Sequence, residues 1–509
     1  MIKNLLSLIK NEAFSIEPKW LGAVNLISFM FVFYIIVRLI YYTFFLNYYE
    51  VLHIDERIII NDIYNVWTLD NEFNRYPTIE NKLIKNIYLV ITEISYGGDL
   101  RYGRIWSNIF ILLMGPFSLF GDQVLITAVR IFTILIYFIS LNILINLFLN
   151  KNLRWFYLLI FYSLPGVVYF NSLPKPDPFV IFFLSISFHL LIKKKYYFSV
   201  LLFAISTGVK IVGVFALVLA ILHLFYTRKI PLNRNSLLKV LLNSWIGIVI
   251  ANPILIIPPF PIFEIPNFYK IYYHWLDSQS KYDQSLRFSY EYFKNWLETL
   301  AIHFTYNLTR SPVIFILFSV FILYILFKFS QKNESVIQLV TLVGFSHLIF
   351  IIISIQRQWI LYLNYSFIFL IIGIIFFINS HTNKKILFHI LLFMIIVPNG
   401  LLKINGSLET RQTIPSEDFL TISLVTDKIS DLYQIHSKDT KLVYWDPSIG
   451  MARNKVTYND IFQVRENWEG HELEYIFKKS DFYVTKQNLT SDKYSKIEVE
   501  NFNIYYLDS

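Results

Sequence analysis

Apolar runs long enough to cross a bilayer recur along this chain from Trp20 almost to Leu402, separated by short polar or basic stretches. The pattern predicts spans near 20–46, 124–149, 153–170, 178–192, 196–208, 211–226, 237–257, 312–329, 335–354, 359–378 and 386–402. The short 196–208 run leaves a second option, in which 196–226 forms one broken hairpin. One further apolar stretch, IWSNIFILLMGPFSLF at 105–120, is read as a helix lying in the interface, because counting it as a span would invert every later basic loop. Residues 78–94 place apolar side chains at 79, 83, 84, 87, 90, 91 and 94, an amphipathic pattern also suited to an interface. Beyond residue 403 the pattern changes. KLVYWD, DFYVTK and NFNIYYLD alternate as strands do, with helical stretches between them. The expected fold is therefore an α-helical polytopic membrane protein of about eleven spans with interfacial helices, residues 1–402, followed by a small external α/β domain, 403–509.

Composition strengthens this reading and excludes others. Hydrophobic residues make up 55% of the 509 and charged residues 16%, where a soluble globular domain carries about a quarter charged. A soluble enzyme is excluded on this ground. The net charge of +9 would suggest nucleic acid in a soluble protein. Here it is placed in short basic loops: Lys151 and Arg154; Lys193, Lys194 and Lys195; Arg228 and Lys229 with Arg234 and Lys239; Lys328 and Lys332; Lys384 and Lys385. With Lys3, Lys10 and Lys19 they mark a cytoplasmic side, so the N-terminus is expected inside and the C-terminus outside. The first apolar run is too long for a cleavable signal and lacks a small-residue cleavage site, so it is expected to remain as the first span. The chain has no cysteine, so disulfides, thiol nucleophiles and thiolate metal sites are unavailable to it.

Three regions then face outward: 47–123, 258–311 and the tail. The first carries ten acids against six Lys and Arg, and the second opens with PPFPIFEIP. Chemistry is sought where ionisable groups interrupt apolar sequence. HIDER supplies His53, Asp55, Glu56 and Arg57 just after the first span; adjacent carboxylates repel, which suits one of them to act as a base. The same residues also suit the solvated start of a loop. SLPKPDPF at 172–179 holds Lys175 and Asp177 in a turn stiffened by three prolines, or forms a plain interhelical turn with a neutralised ion pair. Lys210, Arg130 and Arg357 each stand alone in apolar surroundings, and Arg101 and Arg104 could join Arg357. A buried cation is costly, so each should meet a protein carboxylate or a phosphate. For Arg130 a helix-packing ion pair explains the residue equally well. No glycine-rich phosphate loop and no metal-ligand spacing is present, although His53 beside Asp55 could form a minor metal or base site. Sequons at Asn307, Asn405 and Asn488 would face outward.

These pieces, in this order, resemble the GT-C superfamily of polytopic glycosyltransferases, which includes protein O-mannosyltransferases and lipid A aminoarabinose transferases. Asp55-Glu56 is similar to the family's acidic pair after the first span, and Arg57 to an arginine that follows it, here one place nearer. FSLFGDQVLITAVRIF, LPGVVYFNSLPKPDPF and STGVKIVG look like later family segments. The likeness covers roughly residues 20–230, then only the Arg357 turn. It departs where the first loop keeps Pro77 alone of a usual proline pair, and the strands of the tail carry no transferable motif. What the resemblance implies is transfer of a sugar from a polyprenyl-phosphate donor to an acceptor hydroxyl on the outer face of a bacterial plasma membrane. No cofactor is then required beyond that lipid-linked donor, with a divalent metal left open. Asp55 would accept the acceptor's proton in one inverting displacement, with Glu56 and Asp177 orienting the acceptor or tuning Asp55. Lys210, Arg357, Lys175, Arg104 and Arg57 would stabilise the leaving phosphate. A glycan, lipid or protein could be the acceptor.

Two other classes compete. A lipid or lipid-linked-sugar transporter would show an internal repeat and charged sites at broken helices near mid-bilayer; no repeat is visible here. A non-catalytic assembly protein would not need charged turns gathered on one face.

Overall fold

A computed structural model describes residues 18–45, 54–67, 104–171, 173–210, 212–253, 335–354, 364–381 and 389–398, together with 400–401, 424–425, 428, 443–445, 482–485, 488, 494–500 and 502–506. Within these residues the protein is mostly helical with one small sheet. The helices are α1 (Pro18–Phe45), α2 (Ile54–Trp67), α3 (Ile105–Met114, continued by a 3₁₀ turn Gly115–Phe120), α4 (Asp122–Phe148), α5 (Arg154–Tyr162), α6 (Pro165–Asn171) and α7 (Pro176–Ile192). They are followed by α8 (Tyr196–Val209), α9 (Gly213–Tyr226), α10 (Arg234–Ala251), α11 (Ser335–Ser354), α12 (Asn364–His381) and α13 (His389–Pro398).

Punctuation in the sequence accounts for many of these boundaries. Gly121 begins α4 at φ +95°, a conformation open to glycine but strained for other residues. Proline at the first helical position opens α6 and α7, where its missing N–H is one that no helix would use. Asn233 caps α10 by accepting from the Ser236 N–H at 2.9 Å. In the apolar interior, hydroxyls turn back onto their own helix: Thr133, Ser140, Ser187 and Thr341 each donate to the carbonyl four residues earlier. That bond satisfies a polar group where no water is at hand.

Among the described helices, two are long and apolar enough to cross a membrane, within α1 (Gly22–Tyr41) and across α4. The other apolar stretches among the described helices are shorter, and in two places a turn interrupts the run. The 153–170 run is broken at Ser163–Leu164 into α5 and α6, and 196–226 forms the hairpin of α8 and α9. The 105–120 stretch is helix α3 plus its 3₁₀ turn, and residues 54–57 of HIDER open helix α2. The expected interfacial helix at 78–94, the second outer region at 258–311 and the span at 312–329 lie outside the described residues.

One hydrophobic core runs through the helices from Val32 to Val397. Small residues let helices meet closely. α8 and α10 run parallel, and a Cβ on Gly247 would fall 2.4 Å from the Leu201 carbonyl oxygen and 2.7 Å from the Ala204 Cβ. α11 and α12 are antiparallel, with Gly373 against Thr341 and His347 against Ser366. Outward faces remain apolar: Leu26, Met30, Phe33 and Tyr34 of α1, and Leu238, Leu241, Leu242 and Trp245 of α10, are all exposed. Contiguous apolar faces of this kind mark a surface suited to lipid or another apolar partner.

The tail forms a four-stranded sheet of β1 (Val443–Trp445), β2 (Phe482–Thr485), β3 (Ser495–Val499) and β4 (Phe502–Tyr506), in the order β1-β2-β4-β3. β1 and β2 are parallel, while β4 pairs antiparallel with both β2 and β3. Three of these strands match the alternating segments read from the sequence. β3 does not; its mixed SKIEV gives a weak alternation, and it is fixed by its hairpin with β4.

Candidate functional site

Asp177 lies in the first turn of α7, where the helix dipole favours a negative charge. Its Oδ1 accepts from Lys210 Nζ at 2.9 Å and from the Tyr365 hydroxyl at 2.6 Å. Lys210 occupies the break between α8 and α9, in extended backbone, and its ammonium also sits 5.9 Å from the centre of the Tyr365 ring. The break itself depends on Gly213, whose Cβ would fall within 2.6 Å of the Ser206 carbonyl carbon. Tyr365 comes from the first turn of α12. Beside it, Asn364 donates to the Tyr137 hydroxyl at 2.6 Å, Ser366 pairs with His347 at 2.8 Å, and the His347 ring meets that of Tyr365 edge-on. Lys210 from the α8–α9 break and Tyr365 from α12 thus meet the single carboxylate of α7.

Two further buried ion pairs flank this cluster. Arg130, a third of the way along α4, binds Glu56 of α2 through Nε at 2.8 Å and Nη2 at 3.0 Å. Arg104, just before α3, binds Asp62 of α2 at 2.6 Å. Phenylalanines join the three places: Phe110 of α3 packs edge-on against Phe132, two residues beyond Arg130, and against Phe179, two residues beyond Asp177. The backbone ties them again. The Arg104 N–H donates to the carbonyl of Ala251 at the end of α10, and the next residue, Asn252, donates to the Gly208 carbonyl near Lys210. The start of α7, the end of α8, the end of α10 and the approach to α3 therefore meet at one end of the bundle.

The sequence-predicted residues divide accordingly. Glu56, Asp177, Lys210 and Arg104 enter buried ion pairs, and Lys175, the residue before α7, is buried beside its neighbour Asp177. Asp177 takes Lys210 across the helices as its salt-bridge partner. The isolated cations Arg130 and Lys210 meet protein carboxylates. Asp55 and Arg57 fall in the first turn of α2, but their side chains lie outside the described residues, as do His53, Arg101 and Arg357 altogether. Sequence reasoning missed Asp62, Tyr365, Tyr137, Asn364 and His347. Asp62 had a usable signal, being six residues beyond Glu56 in a segment whose buried positions 56, 59, 60 and 63 repeat with helical spacing. Tyr365 and His347 had none, since one aromatic or histidine in an apolar span looks like any other.

An apolar cavity of about 510 Å³ opens on the flank of α4, lined by Phe44, Met114, Phe117, Val124, Thr127 and Leu135 among others. It runs along the same helix that carries Arg130. No group of three His, Asp or Glu side chains among the described residues is arranged to hold a metal ion. No protein-family model, curated protein or solved structure matches the chain.

Proposed function

We propose that this chain is an integral membrane glycosyltransferase of the GT-C type. It moves a sugar from a polyprenyl-phosphate donor to an acceptor hydroxyl at the outer face, crossing the bilayer about eleven times. The observation that carries the proposal is the Asp177–Lys210–Tyr365 cluster: an ionised pair held at the ends of otherwise apolar helices. Burying charges in such surroundings costs more than hydrophobic packing would, so their retention favours a working site over a packing device. The exposed apolar faces of α1 and α10 suit lipid, and the α4 cavity suits an isoprenoid tail.

In this mechanism Asp55 is the general base. It takes the acceptor's hydroxyl proton as the oxygen attacks the anomeric carbon, and the phosphate leaves with its electron pair. Glu56, clamped by Arg130, fixes the first turn of α2 and so positions Asp55. Lys210 is balanced by Asp177 in the structure; an arriving phosphate competes for the same ammonium, and Tyr365 keeps Asp177 hydrogen-bonded as that exchange occurs. Arg104, Lys175, Arg57 and Arg357 add positive charge for the leaving group. The test is release of polyprenyl phosphate from a synthetic polyprenyl-phosphate sugar by purified protein and by Asp55→Asn. Release that depends on Asp55 supports the transferase. Donor that binds without release, across several sugars, turns the reading toward a lipid-linked-sugar transporter.

A further inference from the structure

The end of the bundle opposite Asp177 is built differently. Between Asp122 and Glu264 the only acidic residue is Asp177, so the turns at the other end have no carboxylate of their own. Those turns are basic. Lys193, Lys194 and Lys195 join α7 to α8; Arg228 and Lys229 follow α9; Arg234 and Lys239 open α10; Lys151 and Arg154 follow α4. Packing brings them to one level. α7 and α8 are antiparallel neighbours about the lysine turn, tied by the Ser199 hydroxyl on the Ser187 carbonyl. α10 runs beside α8, with the Lys239 ammonium over the Tyr197 ring at 5.8 Å. The end of α4 reaches the end of α7 through Phe148 against Phe188.

Two of the turns share an unusual construction. Lys194 at φ 60° and Arg228 at φ 53° both sit in the left-handed region. The following N–H of each, at Lys195 and Lys229, reaches back to the carbonyl five residues earlier, at Leu190 and Leu224. This is the Schellman helix ending, in which glycine is the unstrained choice at the left-handed position. Here both endings place an exposed cation there instead. The helix C-terminal dipoles account for part of that preference. They do not require three consecutive lysines, nor a stretch from 123 to 263 in which Asp177 is the sole acid.

We propose that this basic end is a docking surface for the phosphate headgroups of anionic phospholipids. The inference rests on the membrane reading above and adds a ligand at the end remote from the proposed reaction. Each cation near an anionic surface strengthens binding on the order of fivefold, falling away within a Debye length. Tyr196, Tyr197 and Trp155 lie at the same level, where aromatic rings suit the headgroup boundary.

The experiment uses the full chain in phosphatidylcholine vesicles and compares spin-labelled phosphatidylglycerol with spin-labelled phosphatidylcholine in the motionally restricted layer around the protein. The expected result is a several-fold preference for the anionic lipid that weakens as salt is raised and disappears in a variant carrying Lys193→Gln, Lys194→Asn, Lys195→Gln and Arg228→Asn. Asparagine is chosen at the two left-handed positions because it tolerates them. Equal association of the two lipids overturns the proposal, as does a preference that survives both the variant and high salt. Inorganic phosphate competing no better than chloride at equal ionic strength assigns the site to the bilayer surface; specific competition overturns that assignment. A variant that fails to fold leaves the salt series of the unmodified protein to decide. Absence of any restricted lipid layer overturns the membrane reading itself, an outcome distinct from equal association.

Discussion

Arg130 holds Glu56 through two parallel hydrogen bonds, joining the first third of α4 to the first turn of α2, and both side chains are almost wholly buried. The fork of a guanidinium fits a carboxylate in this way and lysine cannot reproduce it. Removing one partner leaves the other charged in an apolar place. Glu56→Gln or Arg130→Met is therefore expected to destabilise the protein by about 3–5 kcal/mol. Replacing both, Glu56→Gln with Arg130→Met, should recover most of that loss, as read from thermal unfolding in detergent. If the double variant is stable but inactive, the pair serves position as well as stability.

The Asp177 cluster separates packing from chemistry in another way. Tyr365→Phe removes one hydrogen bond to Asp177 and leaves the Lys210 pair, so its stability cost should be only about 1 kcal/mol. Lys210→Met should cost more, since it leaves Asp177 buried without its cation. In the proposed transferase Lys210→Met should also weaken release of polyprenyl phosphate by a factor of roughly a hundred or more, through loss of charge stabilisation. Equal activity of Lys210→Met and the unmodified protein would remove Lys210 from the site.

The α8–α10 contact makes a sterically sharp prediction. Gly247 faces the Leu201 carbonyl, which cannot move without disturbing its helix. Gly247→Val should force the two helices apart and destabilise the protein by about 1–3 kcal/mol. Gly22, whose added Cβ would meet nothing within 4 Å, is the matched control. Gly22→Val should leave the unfolding midpoint nearly unchanged.

The absence of cysteine makes sidedness directly measurable. Gln123→Cys at the start of α4 and Lys194→Cys after α7 place exposed thiols at opposite ends of the bundle. In intact cells a membrane-impermeant maleimide should label Cys at position 123 and spare position 194, with both labelled after lysis. Labelling of both in intact cells would overturn the orientation, and equal labelling in a detergent-free soluble fraction would overturn the membrane reading.

Local pattern along the chain was enough to place most of the helices that the structure describes. Long apolar runs and the basic turns act through local sterics and solvation, so α1, α4, α7 to α10 and three of the four strands were legible along the chain, whereas the break at Ser163–Leu164 inside the 153–170 run was not. The sequence by itself also determined that buried cations at 130 and 210 must find anions, because an unpaired charge is too costly in apolar surroundings. Which anion each would find was decided only by the tertiary structure. Glu56 and Arg130 are separated by 74 positions, Asp177 and Lys210 by 33, and Asp177 and Tyr365 by 188. Local pattern carries no information about pairings over such distances. α2 was obscured for a related reason: its charged residues look solvated in the sequence, and only the approach of Arg130 and Arg104 from other helices makes their burial tolerable.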